Sequence, residues 1–152
     1  MQAMSYLFDV YYGRIEADKN LSEKIEENLS DFENLFQNND IQFYSLQKQI
    51  TLQEELYLLK HSVIDLSTKI KDFSDTASFI ENLDLVIGCD TSVTNLSGAM
   101  GKDTLLIVPN HSDWRWGLFE EVSEWYKSIR IYRKNKNNDI NEVFVRIQSF
   151  LN

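Results

Sequence analysis

An α/β domain built on a mainly parallel sheet of about six strands is the fold class that this sequence predicts. Three observations predict it. Strand and helix signals alternate along the chain; Leu85–Gly88 and Leu105–Val108 are apolar almost throughout; and the small residues Gly98, Ala99 and Gly101 fall where a helix would press on a sheet and then end. Unbroken apolar strands belong where helices cover both faces of a parallel sheet.

The elements follow in order. Tyr6–Tyr12, rich in aromatics and closed by Gly13, reads as a first strand. Asn20 then caps a helix, with Glu23 three residues on, and Leu21, Ile25, Leu29, Phe32 and Phe36 recur at helical spacing. Ile41–Leu46 is a second strand, Leu52–Lys60 a second helix and Val63–Leu66 a short third strand. A third helix starts near Ser74, with Asp75 in its first turn favoured by the helix dipole, and ends at Asn82 and Leu83. After the strand Leu85–Gly88, the turn Asp90-Thr91-Ser92 leads into a helix with Val93, Leu96 and Met100 on one face. Gly101 stands where a left-handed C-terminal cap is wanted. Pro109 stops the strand Leu105–Val108, Ile129–Tyr132 is a sixth strand, and Ile140–Leu151 is the closing helix. No repeat or linker interrupts the pattern, so residues 1–152 read as one Rossmann-like three-layer domain.

Composition narrows the function classes. The net charge of −9 argues against general nucleic-acid binding, which needs a positive face. That charge is uneven: residues 1–101 carry net −10, while residues 102–152 carry net +1. Lys127, Arg130, Arg133, Lys134 and Lys136 form the one basic patch, read as a solvated strand end before an anion site. No stretch is apolar for long enough to span a bilayer, and Met1–Tyr12 lacks a basic flank and carries Asp9, so neither a transmembrane segment nor a signal peptide is expected. A single cysteine, Cys89, fits a reducing cytoplasm. His61 and His111 lie too far apart for metal-ligand spacing, and no dinucleotide fingerprint, Walker loop or nucleophile elbow is present. No metal or cofactor is therefore expected.

In open α/β sheets, ligands bind beyond the carboxyl ends of the strands. Three polar segments lie there: Ser45-Leu46-Gln47-Lys48, Cys89-Asp90-Thr91-Ser92, and Pro109 to Trp116. The helix start at Asp90-Thr91-Ser92 offers free N–H groups and a dipole to a phosphate, although a plain helix cap accounts for the same residues. Lys48 would supply positive charge, or is simply solvated. Trp114 and Trp116, flanking Arg115, offer flat surfaces for a base or sugar, or pack as a lid over the sheet edge. His111 beside Asp113 suggests acid–base work, but no nucleophile accompanies it and no catalytic residue is assigned.

Several segments, in order, line up with one family. Phe43-Tyr44-Ser45-Leu46-Gln47-Lys48, Asp72-Phe73-Ser74-Asp75-Thr76-Ala77 with Asn82-Leu83-Asp84-Leu85-Val86-Ile87, the run Asp90 to Lys102, and Asp113-Trp114-Arg115-Trp116 resemble the heptosyltransferase-like glycosyltransferases, particularly bacterial members fused to tetratricopeptide repeats. The match runs from about residue 41 to about residue 134. The resemblance implies the donor-binding lobe of a two-lobe, metal-independent enzyme that takes a nucleotide-diphosphate sugar and transfers the sugar to a glycan or protein acceptor. It implies that Asp90, Thr91, Ser92 and Asn95 line the donor site, that Lys48 faces the phosphates, and that Gln47, His111, Trp114 and Arg115 lie in nearby loops. The sequence departs from the pattern at Asn95, where the family has histidine, and at Asp103, where it has proline. It also lacks the family's tryptophan–glycine and basic elements after the first strand. With room for one lobe only, activity of this chain alone is uncertain, and a separate acceptor lobe or a homodimer would complete the cleft. The alternative is a degenerate, non-catalytic lobe serving as a protein-interaction module.

Overall fold

The computed structural model describes residues 2–6, 33–36, 40–135 and 140–151. The strands are β1 (Gln2–Tyr6), β2 (Ile41–Ser45), β3 (Ile64–Asp65), β4 (Leu85–Cys89), β5 (Thr104–Val108) and β6 (Ile129–Arg133). The helices are α1 (Glu33–Phe36), α2 (Leu52–Lys60), α3 (Phe73–Glu81), α4 (Ser92–Ala99) and α5 (Asn141–Leu151). β2 and β3 form a parallel pair, and β4, β5 and β6 a parallel triple. β1 pairs in parallel with β2 on one side and β4 on the other, giving the order β3-β2-β1-β4-β5-β6. The expected α/β class with parallel strands is what the chain adopts.

Side-chain alternation explains why unbroken apolar strands suit this arrangement. Leu85 and Ile87 of β4, with Leu105 and Ile107 of β5, join one core under α1, α2 and α5. Val86, between them, joins a second core with Ile80, Leu83 and the half-buried Val93 and Leu96, under α3 and α4. Leu106 and Val108 point the same way, into a third cluster with Trp116, Ile129 and Ile131. Each strand residue is thus buried on one face or the other, at about 1.5–3 kcal/mol per large side chain.

The boundaries shift in ways that local chemistry explains. The first strand expected at Tyr6–Tyr12 lies, after Tyr6, outside the described residues, and β1 precedes it. The helix expected from Asn20 is described only at Glu33–Phe36. β3 shrinks to two residues, Ile64 and Asp65, because Asp65 turns the chain by accepting from the Ser67 N–H at 2.9 Å and its hydroxyl at 2.6 Å. α3 starts one residue before Ser74, since Asp72 accepts from the N–H groups of Ser74 and Asp75 and takes the cap itself. Thr51 and Glu54 form a reciprocal capping box that starts α2. Gly101 has φ of +73°, the left-handed conformation expected of it. Among the described residues, no helix is long and apolar enough to cross a membrane.

Gly98 is the tightest point between α4 and the sheet. A Cβ there would lie 2.6 Å from Ile129 Cδ1 and 2.7 Å from Tyr126 Cγ. Alanine in a helix interior ordinarily gains about 1 kcal/mol over glycine. Overpacking of this kind costs about 1–3 kcal/mol, so the steric effect decides the sign. Gly98→Ala is expected to lower stability by about 1–2 kcal/mol, read as a lower urea midpoint; a raised midpoint would show that Tyr126 yields freely.

Candidate functional site

The site is assembled at the carboxyl end of β4. Strand order reverses between β1 and β4, and the first turn of α4 opens beside that crevice. Thr91 is the N-cap, in extended conformation, and the Thr94 hydroxyl accepts from its N–H at 3.1 Å while bonding the Cys89 carbonyl at 2.6 Å. Thr94 is fully buried, so this capping fixes the turn from beneath. Asp90 and Ser92 stay exposed on top of it. The N–H groups of the first helical turn have no intrahelical acceptors and carry the positive end of the dipole.

Arg115 reaches this turn from 25 residues away. Its Nη2 lies 3.3 Å from Asp90 Oδ2, its Nη1 3.5 Å from Asn95 Oδ1, and its Nε 3.0 Å from Asp113 Oδ1. Asn95 completes the network by donating to the Thr91 carbonyl at 2.7 Å and to Asp90 Oδ1 at 3.4 Å. An amide at position 95 therefore knits the turn to the arginine, and the cation at the head of α4 is Arg115. Asp113 also accepts from the Arg115 N–H, which with the guanidinium holds its carboxyl below the ordinary aspartate range; the same pairing pushes Arg115 up.

Other sequence-identified residues are placed differently. Lys48 lies past the end of β2, with β1 between it and β4, which at ordinary strand spacing is roughly 10 Å. Its Nζ donates to the Lys71 carbonyl at 2.7 Å, and the structure shows no bond from it to Asp90–Asn95. Gln47 donates to the Gln49 carbonyl at 2.7 Å and reaches Glu54 Oε1 at 3.5 Å. His111 is exposed, with Nε2 3.5 Å from the Asn110 amide; Asp113, its expected acid–base neighbour, engages Arg115 instead.

The loop after β5 carries a cavity of about 620 Å³. Trp114, Arg115 and Trp125 line it together with the buried Trp116, Glu120 and Glu124. The rings of Trp114 and Trp125 meet edge to face, 5.7 Å apart at 72°. Gly117, at φ +62°, turns the loop, and the Glu120 carboxylate packs so closely on it that a Cβ would collide. Glu120 accepts from the Phe119 N–H at 2.9 Å, and that bond first of all holds its carboxyl below the ordinary glutamate range.

Arg133, read from the sequence as part of a solvated basic patch, supports the loop after β5. Half-buried, it donates to Ser112 Oγ at 2.6 Å and to the carbonyls of Trp116 at 2.9 Å, Gly117 at 3.0 Å and Pro109 at 3.4 Å. It staples both ends of the loop that presents Arg115. Arg130 instead lies over the Phe150 ring, 5.0 Å from its centroid, and Lys136 lies outside the described residues.

Parallel strands covered on both faces, with polar loops gathered at their carboxyl ends, define an α/β fold. Among solved structures the chain is similar to the CMP N-glycosidase BcmB of Clostridium botulinum, at 10% identity and a TM-score of 0.51, over 97% of this chain and 98% of that one. No protein-family model matches the sequence, and no curated protein matches it.

Proposed function

We propose that the chain is a single Rossmann-like lobe, its six strands joined through β1, that binds a nucleotide-diphosphate sugar as the donor domain of a metal-independent glycosyltransferase. One observation carries the reading: Asp90-Thr91-Ser92 sits at the switch point of the parallel sheet, at the head of α4, with the Arg115 guanidinium held over it. Oriented N–H groups at the positive end of the helix dipole would stabilise charge developing on a diphosphate leaving group, and Arg115, which pairs with Asp90 and Asp113, would exchange Asp90 for the phosphate. The family-like motifs at 43–48, 72–87, 90–102 and 113–116 point to the same substrate class. The fold likeness to a protein named for CMP supports a nucleotide ligand in general terms only.

Titration calorimetry with UDP, GDP and ADP sugars tests this. Binding by at least one is expected, weakened about tenfold or more in Arg115→Ala, the scale of one charge-assisted contact. Absence of heat with all three at millimolar concentration would sink the donor reading. A non-catalytic interaction module is the second reading, favoured by the exposure of Trp114, Phe119 and Trp125 on one segment. It predicts no nucleotide binding and capture of a protein partner that Trp125→Ala abolishes.

A further inference from the structure

We propose that the cavity after β5 is a second binding site, one that seats a neutral saccharide against Trp114 and Trp125. In the transfer proposed above it would hold the acceptor; that role rests on the donor reading, whereas the binding does not.

The cavity, at about 620 Å³, is within the ordinary range of small-molecule sites, about 300–1,000 Å³. Trp114 is 75% exposed and Trp125 59% exposed. Indole surface left open in this amount is costly unless a ligand covers it. The two rings meet at 72°, which makes a corner and not the parallel slot that would sandwich a flat base. Pyranose rings present C–H groups to an indole face and hydroxyls around their edge.

Charge disfavours anionic ligands, and the choline arm of the test below separates a cation from a neutral saccharide. Glu120 and Glu124 line the cavity, and among the described residues neither is in a salt bridge. Arg115, also at the cavity, is already met by Asp90 and Asp113. Arg133 stands behind the cavity on the Trp116 and Gly117 carbonyls, but with Glu120, Glu124, Asp90 and Asp113 against two arginines the balance is negative, which disfavours a phosphate in the cavity. Ionised carboxylates are acceptors only, suited to hydroxyl donors. Since Arg115 touches both α4 and the cavity, a saccharide here would lie next to the donor turn.

All three tryptophans of the chain, Trp114, Trp116 and Trp125, line this one cavity, so tryptophan emission reports on it alone. The test is titration of the intact chain with chitotriose, maltotriose and laminaritriose to millimolar concentration, with choline and UDP as parallel arms. A saturable emission change with at least one trisaccharide is expected, weakened about tenfold in Trp125→Ala and in Trp114→Ala. Both side chains are exposed, and far-UV circular dichroism is expected to be unchanged by either substitution. No saturable change with any trisaccharide, equal affinity in both variants, or saturation by choline alone overturns the proposal. UDP heat without a saccharide response overturns the cavity site and leaves the donor reading standing. A saccharide response without heat from any nucleotide does the reverse.

Discussion

Alanine in place of Trp116 is expected to lower the unfolding free energy by about 3–5 kcal/mol, the largest stability loss of any single truncation in the loop after β5. Trp116 is 1% exposed and packs with Leu106, Val108, Ile129 and Ile131, so removing the indole leaves a void bounded by rigid strands β5 and β6. β5 is paired on both sides, by β4 and β6, and collapses poorly, which puts the cost at the upper part of the range for large-to-small changes. A second variant separates packing from polarity. The buried Trp116 Nε1 has no hydrogen-bond partner among the described residues, so Trp116→Phe removes a donor unsatisfied there while keeping most of the ring. Its expected loss is below about 2 kcal/mol. Urea unfolding followed by far-UV circular dichroism compares the two. A loss under about 1 kcal/mol for the alanine variant would show that the loop is not part of the core.

The parts of the fold legible in the sequence are those whose own residues state their surroundings. β4 at its buried positions and Leu105–Val108 of β5 are apolar, and Gly101 is placed by the turn that only a left-handed residue closes. β1 is different. Gln2-Ala3-Met4-Ser5-Tyr6 has little strand propensity, yet it pairs with both β2 and β4. Position between two strands outweighed local preference there.

The site divides in the same way. The turn at Asp90-Thr91-Ser92, the candidate donor position, is legible because a strand end, a polar turn and a helix start adjoin in sequence. The pairing of Arg115 with Asp90 was not, since it depends on where a loop 25 residues later folds back. Lys48 looked equivalent to Arg115 by type, but β1 separates its strand from β4 and Lys71 takes its ammonium. Arg133 was hidden among neighbouring cations. What sets it apart is the set of carbonyls around it, and backbone carbonyls leave no mark in composition.

Those carbonyls make Arg133 the second large expected effect. Arg133→Ala leaves the Trp116, Gly117 and Pro109 oxygens and the Ser112 hydroxyl without the guanidinium that now joins them. Hydrogen bonds to charged groups contribute about 1.5–3 kcal/mol each, but four made by one side chain do not add, and water reaches a half-buried loop. A loss of about 2–4 kcal/mol is expected, and on the proposed donor reading it is accompanied by weaker nucleotide binding, because Arg115 sits on the stapled segment. Lysine tests the geometry. It keeps the charge but cannot serve Ser112 on one arm and the Trp116 and Gly117 carbonyls on the other, so Arg133→Lys should recover less than half of the loss. Full recovery by lysine would mean that charge alone holds the loop, and nucleotide affinity unchanged in Arg133→Ala would uncouple the staple from the site.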